Sequence, residues 1–286
     1  MKVIQGVINK ATSPDILKNY LSLLDSLSGC FETNIPYNEF YTSLTENTIK
    51  GTACVSIYGG NTPQSEYEFL TGNTISFLPS GAIAYNLYIK KDTPSLVSQL
   101  SEQGYECIAM HPEKATNFNR NQVYPRLGFL QFLTEDDFTD VVKIRELCSD
   151  QSVYDKMIDL YENKQEGQKL FLYGVTMQNH GGYTYEGEDF TPLVQTVGLN
   201  KTYDKVNQYL TCMRYTDEAL ENLIGYFSDV DEHVMIVMFG DHHGDVGSDF
   251  YEELYGKKLI DVEGEQYETR YETPFFIWTN YETETE

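Results

Sequence analysis

Short apolar runs alternate along the chain with longer amphipathic stretches, and the two periods predict different elements. "TACVSIY" (52–58), "YECIAMH" (105–111), "KLFLYGVTMQ" (169–178) and "HVMIVMFGD" (233–241) are strings of buried-strand length, each followed by glycine or polar residues. They predict parallel strands. Between them, "PSLVSQLSEQG" (94–104) has apolar residues at 96, 97 and 100 and ends in a glycine suited to a C-cap. "YDKVNQYLTCMRYTDEALENLIGYF" (203–227) keeps a long 3.6-residue period. Strand and helix in alternation predict an α/β fold: a doubly wound, mainly parallel sheet flanked by helices.

Such sheets bind ligands in the crevice beyond the carboxyl ends of their strands. Those ends read Tyr58-Gly59-Gly60, Met110-His111, Gln178-Asn179-His180 and Gly240-Asp241-His242. Past the first, Thr62 followed by Pro63 fits a helix N-cap with proline at the first helical position, and the two glycines let the backbone come close to a ligand. An anion at that point meets the positive end of the helix, and a neighbouring metal ion would make the threonine hydroxyl a nucleophile. Taken alone, a threonine such as Thr62 is more often a plain cap.

The other strand ends carry complementary chemistry. In "MFGDHHGD" (238–245), Asp241 and His242 place a carboxylate and an imidazole side by side, both good ligands for a divalent cation. In "GVTMQNHGGY" (174–183), His180 can give a proton to a leaving group or serve only as a packing residue. "AMHPEKATNFNRNQVYPRLGF" (109–129) supplies His111 and, nine residues on, Arg120 beside Phe118. Arg120 offers a planar fork for phosphate or sulfate oxygens, or pairs with one of the chain's many acids. Together these residues make the inventory for phosphoryl or sulfuryl transfer through a covalent intermediate.

Composition narrows the partners. With 44 Asp and Glu against 20 Lys and Arg, the formal charge of −24 repels a nucleic-acid backbone, so nucleic acid is excluded as a partner. An anionic substrate is still compatible where a metal ion and a few cations sit in the site. The 286 residues, 41% of them hydrophobic, suffice for a substantial core, and we expect one catalytic domain over 1–286. The five cysteines (Cys30, Cys54, Cys107, Cys148, Cys212) show no CxxC pair and read as buried small residues. No run of 18 apolar residues occurs, so the chain is expected to be soluble, as a piece of a longer anchored protein or in its own right. Oligomeric state is open.

"YGGNTPQSEYEFLTGN", "TPSLVSQLSEQGYECIAMHPEKATNFNRNQVYPRLGF", "VTMQNHGGY", "VMFGDHH" and "YETPFFIWTNY" follow the order and spacing of the lipoteichoic acid synthase family, and the chain resembles it from about Phe31 to about Tyr281. That family comprises sulfatase-like extracellular phosphoglycerol transferases of the alkaline phosphatase superfamily. The resemblance implies a nucleophile at Thr62 that attacks phosphatidylglycerol, an anionic phospholipid, releases diacylglycerol and holds glycerol phosphate as a phospho-threonine ester. A polyol or glycan acceptor then takes the group. It further implies a manganese ion, with magnesium as the alternative, bound by Thr62, Asp241 and His242. His111, Phe118, Arg120 and His180 then surround the glycerol phosphate, and His180 assists proton transfer. The implied location is the extracellular face of a bacterial cytoplasmic membrane.

The resemblance weakens at the N-terminus. The family's first strand ends in Asn-Glu, whose glutamate binds the metal; here "GVINKATSPDI" puts Lys10 after Asn9, and a protonated lysine cannot be a ligand. Either Asp15 or Asp25 substitutes, or the site is incomplete and the chain is a non-catalytic binding module. A sulfatase or phosphodiesterase on the same scaffold is a further alternative. Sulfatases use a modifiable Cys or Ser in a C/S-x-P-x-R setting, whereas "NTPQS" has threonine and glutamine at those places.

Overall fold

The computed structural model describes residues 31–282. Among them, six strands of three residues or more are β1 Thr48–Cys54, β2 Tyr105–Met110, β3 Gln131–Leu133, β4 Lys169–Gly174, β5 Met235–Phe239 and β6 Glu272–Thr279. Six helices of seven residues or more are α1 Thr62–Thr71, α2 Leu96–Glu102, α3 Arg120–Leu127, α4 Asp150–Glu162, α5 Asp204–Ser228 and α6 Ser248–Tyr255. They fall into two compact units, one of residues 61–178 and one of residues 31–60 with 179–282.

In the 61–178 unit, β2 is the central strand, parallel to β3 on one side and β4 on the other. Ile108 stands opposite Gln131, and Met110 opposite Gly174. Helices α3 and α4 make the crossovers that parallel strands require. Helix α2 begins where the sequence predicts, because Ser95 and Ser98 form a reciprocal capping box: each hydroxyl accepts the other residue's N–H. The sheet and helices enclose Leu70, Tyr85, Val97, Ala109, Val123 and Leu127, all without measurable exposure.

In the other unit, β6 lies between β1 and β5 and is antiparallel to both, with Phe275 opposite Gly51 and Phe239. The α/β class holds, and β2 and β4 are parallel as expected. Strands β1 and β5 run in one direction but are separated by β6. Apolar periodicity reports burial on both faces and says nothing of which strand lies alongside. Gly51 admits its partner: a Cβ there would sit 2.8 Å from Cε1 of Phe275. Helix α5, as long as its period predicts, buries Val206, Leu210, Leu223 and Ile224.

Cys107, Cys148 and Cys212 are free and buried as expected, whereas Cys54 is exposed. It is the last residue of β1, an outer strand of its three-stranded sheet. Cys30 lies outside the described residues. Among the described residues no helix is long and apolar enough to cross a membrane.

Candidate functional site

The 61–178 unit holds Thr62, His111, Phe118 and Arg120. Gly59, Gly60 and Asn61 have φ of 72°, 148° and 70°, three successive residues with positive φ leading into α1. Glycine enters that region without a Cβ penalty, and asparagine is among the few other residues that tolerate it. Asn61 is therefore the N-cap residue, and Thr62 and Pro63 take the first two helical positions, which shifts the predicted cap by one residue. A β-branched threonine is poorly suited to the left-handed conformation required one place earlier. Thr62 remains in the first turn, half-buried, where the helix dipole favours negative charge.

One turn after Thr62, on the same face of α1, stands Glu66. Its carboxylate accepts from Arg120 Nε (3.2 and 3.3 Å) and Nη2 (2.5 Å) and from the Tyr124 hydroxyl (2.7 Å). Glu66 is 2% exposed and Arg120 1% exposed. The open fork expected of Arg120 is thus largely committed to a buried ion pair, because a guanidinium carried into a core needs a counter-ion. Burial works against its charge, and the Glu66 carboxylate more than offsets this, holding the guanidinium pKa above its ordinary value. The Nη1 edge, 3.4 Å from the Asn117 carbonyl, is the part that Glu66 does not use. Locally Glu66 reads as an ordinary helical acid, and its role is set by Arg120, 54 residues on.

Phe118 and Asn119, just ahead of Arg120, have φ of 53° and 64°. A left-handed phenylalanine costs about 1–2 kcal/mol, and here the conformation brings its ring 5.3 Å from the Arg120 guanidinium carbon. His111 is buried, and its Nδ1–H donates to the Val175 carbonyl at 2.8 Å. Burial, and next the charge of Arg120, lower its pKa, so the ring is neutral at pH 7 with its Nε2 lone pair uncommitted to that bond.

The second unit holds Asp241, His242 and His180. The His242 Nδ1–H donates to the His243 carbonyl at 2.9 Å, which leaves Nε2 the acceptor nitrogen of the neutral ring. That nitrogen stands 3.2 Å from Asp241 Oδ2. Two lone pairs so placed repel unless a proton or a cation lies between them. One imidazole nitrogen and one carboxylate oxygen suit a divalent first-row cation. Among the described residues no third His, Cys, Asp or Glu joins them, and Lys10, Asp15 and Asp25 lie outside that range. His243 is structural: it is buried, and Nε2–H donates to the Glu272 carbonyl.

His180 is exposed on a loop secured on both sides of it. The Asn179 amide donates to Thr216 Oγ1 (2.7 Å), and the Tyr183 hydroxyl donates to the Asn179 carbonyl (2.6 Å). A Cβ on Gly244 would meet that hydroxyl at 2.5 Å, so the His180 loop lies directly against the loop that follows Asp241 and His242.

The sequence profile of the sulfatase family matches residues 21–286. The chain belongs to the sulfatase family. Within reach of this sulfatase-family chain is a "Putative cyclic beta-1,2-glucan modification protein" of Rhizobium meliloti, 29% identical over 229 residues that cover 78% of this chain and 35% of that protein. A lipoteichoic acid synthase of Staphylococcus aureus is 29% identical over 211 residues, 70% of this chain and 31% of the synthase. The chain thus spans about a third of the length of the curated relatives it matches. In fold it is similar to the Streptococcus pyogenes phosphoglycerol transferase GacH, solved in complex with sn-glycerol-1-phosphate. The TM-score is 0.75 at 24% identity, covering 100% of this chain and 77% of that one. The architecture is alkaline phosphatase and sulfatase-like, as the motifs imply.

Proposed function

We propose that this chain is the catalytic part of a transferase that moves glycerol phosphate from phosphatidylglycerol to a polyol or glycan acceptor, at the outer face of a bacterial cytoplasmic membrane. The observation that carries the reading is the start of α1: a threonine in the first helical turn behind three residues of positive φ, on the helix whose Glu66 pins Arg120. The similarity to lipoteichoic acid synthases supports the substrate class.

In this reading Thr62 Oγ attacks phosphorus. Thr62 Oγ gives up its proton to solvent, the Oγ–P bond forms as the bond from phosphorus to the diacylglycerol oxygen breaks, and His180 gives that oxygen its proton. A hydroxyl of the acceptor then passes its proton to His180 and attacks phosphorus as the Oγ–P bond breaks, and Thr62 Oγ regains a proton from solvent. His111, neutral and oriented by Val175, accepts a hydrogen bond at Nε2 from a glycerol hydroxyl. The Nη1 edge of Arg120 contributes charge toward phosphate, and Phe118 forms the apolar wall beside it. Asp241 and His242 would hold a divalent cation, Mn2+ in preference to Mg2+, and that ion when bound supplies positive charge for phosphoryl transfer. Thr62→Ala tests the reading: turnover of a phosphatidylglycerol analogue disappears while circular dichroism is unchanged, and intact turnover refutes the assignment. Aryl sulfate, offered alongside a chromogenic phosphodiester, is not turned over.

A further inference from the structure

The chain's longest stretch without an Asp or Glu is 69–91, "FLTGNTISFLPSGAIAYNLYIKK": 23 residues in a protein with 44 acids. It contains three large apolar side chains turned to solvent, Phe77 at 90% exposure, Leu87 at 55% and Tyr88 at 46%. Lys90 and Lys91 follow, both exposed, with Asp92 next to them, so the local balance is one net positive charge. The exposure is not slack in a loose loop. Ala84, Tyr85 and Ile89 of the same segment are in the core, with Ile75, Leu78 and Ile83 packed against it. A segment anchored on one side presents its other side by construction, and an exposed patch of this kind marks an interaction surface.

The segment is also fastened to the helix that begins at Thr62. Gln64, two residues after Thr62 and 6% exposed, donates to the Ala82 carbonyl (2.6 Å) and accepts from the Ala84 N–H (3.0 Å). Glu68 accepts from the Ile75 N–H (2.9 Å) and the Thr74 hydroxyl (3.0 Å). Side chains of α1 thus hold the exposed segment at both of its turns, so its height fixes that of α1.

We propose that residues 75–91 are a bilayer-docking element that seats the 61–178 unit on an anionic lipid surface, with Phe77 and Leu87 entering the headgroup and acyl boundary. Tyr88, Lys90 and Lys91 lie at the headgroup level. Aromatic rings and lysines on apolar stems are the side chains suited to that layer. The charge of −24 opposes approach to an anionic surface, but charges beyond about 8 Å are screened at physiological salt, and a segment free of acids is the face that can come near. The inference rests on the proposed lipid substrate: an enzyme that takes a headgroup must hold its nucleophile at the headgroup's depth.

The test is co-sedimentation of the whole chain with phosphatidylglycerol/phosphatidylcholine vesicles and with pure phosphatidylcholine vesicles. Phe77→Ser with Leu87→Ser, and Lys90→Gln with Lys91→Gln, are compared with the parent. The parent should bind the anionic vesicles. The apolar pair should reduce binding at least tenfold, and each lysine should contribute up to about fivefold at low salt. A soluble chromogenic phosphodiester should be turned over equally by parent and variants. Vesicle binding unaffected by both pairs, or absent in the parent, overturns the docking element; so does self-association of the parent that the apolar pair abolishes. Loss of diester turnover with vesicle binding intact instead overturns the transferase reading and leaves docking standing.

Discussion

Replacing Glu66 by Gln removes the counter-ion of Arg120 with almost no change of volume. The carboxylate accepts three hydrogen-bond contacts from the guanidinium and one from Tyr124, and both ionic partners are at most 2% exposed. Breaking such a pair from one side costs about 3–5 kcal/mol, because a buried charge is left uncompensated. Glutamine keeps one carbonyl acceptor, which puts the expected loss near the lower end, about 3 kcal/mol. At roughly 2–4 °C per kcal/mol for a domain of this size, the midpoint should fall by about 6–12 °C. Urea unfolding measures the free-energy loss and thermal unfolding the midpoint, both followed by far-UV circular dichroism. In the cycle completed with Arg120→Met and Glu66→Leu, the double variant should be at least about 2 kcal/mol more stable than the two single losses summed, since contacting charges are not additive. A loss below about 1 kcal/mol for Glu66→Gln, or an additive cycle, would refute the claim that this pair holds α1 to α3.

His111 is lowered in pKa by burial and next by Arg120, against the opposing pulls of the Val175 carbonyl, Glu66 and Glu113. Its folded pKa lies below its unfolded one, so its contribution to stability is complete above about pH 6.5 and declines as pH falls from there toward the folded value. His111→Gln should flatten this part of the stability–pH curve, and an unchanged slope in paired melts at stepped pH would contradict it. Gly244→Ala should drive the Tyr183 hydroxyl from the Asn179 carbonyl and lower turnover, with Tyr183→Phe partly restoring it; equal activity of the alanine variant and the parent would show that the two loops are not coupled. In calorimetric titration the chain should bind Mn2+, and Asp241→Ala should weaken binding by more than the roughly 10–100-fold that loss of an outer-shell partner costs. Absence of binding at millimolar metal would remove Asp241 and His242 as a metal pair.

Much of the site's inventory could be read from local pattern. Apolar runs stop close to His111 and Asp241-His242, one and two residues past β2 and β5, whereas the runs 52–58 and 169–178 overshoot β1 and β4, which end at Cys54 and Gly174 and leave Gly59-Gly60 and Asn179-His180 on the loops that follow. The capping residues of α2 and the length of α5 are local as well. Glu66 was different. In "TPQSEYEF" it looks like an ordinary helical acid, and only its partner Arg120, 54 residues away, makes it a buried counter-ion. Gln64 is the same case, a polar residue whose importance comes from the Ala82 and Ala84 backbone it meets.

The amino-acid sequence by itself determined the α/β class, the family and the residues able to do chemistry, because periodicity, caps and glycine-rich turns act over a few neighbours. Tertiary structure alone decided that β6 separates β1 from β5, that Arg120 is paired in the core, and that His243 is structural while His242 faces Asp241. Each depends on a partner more than 25 residues away or on which way a side chain turns, and a buried charge or an unpaired carbonyl is satisfied by whatever the folded chain brings to it.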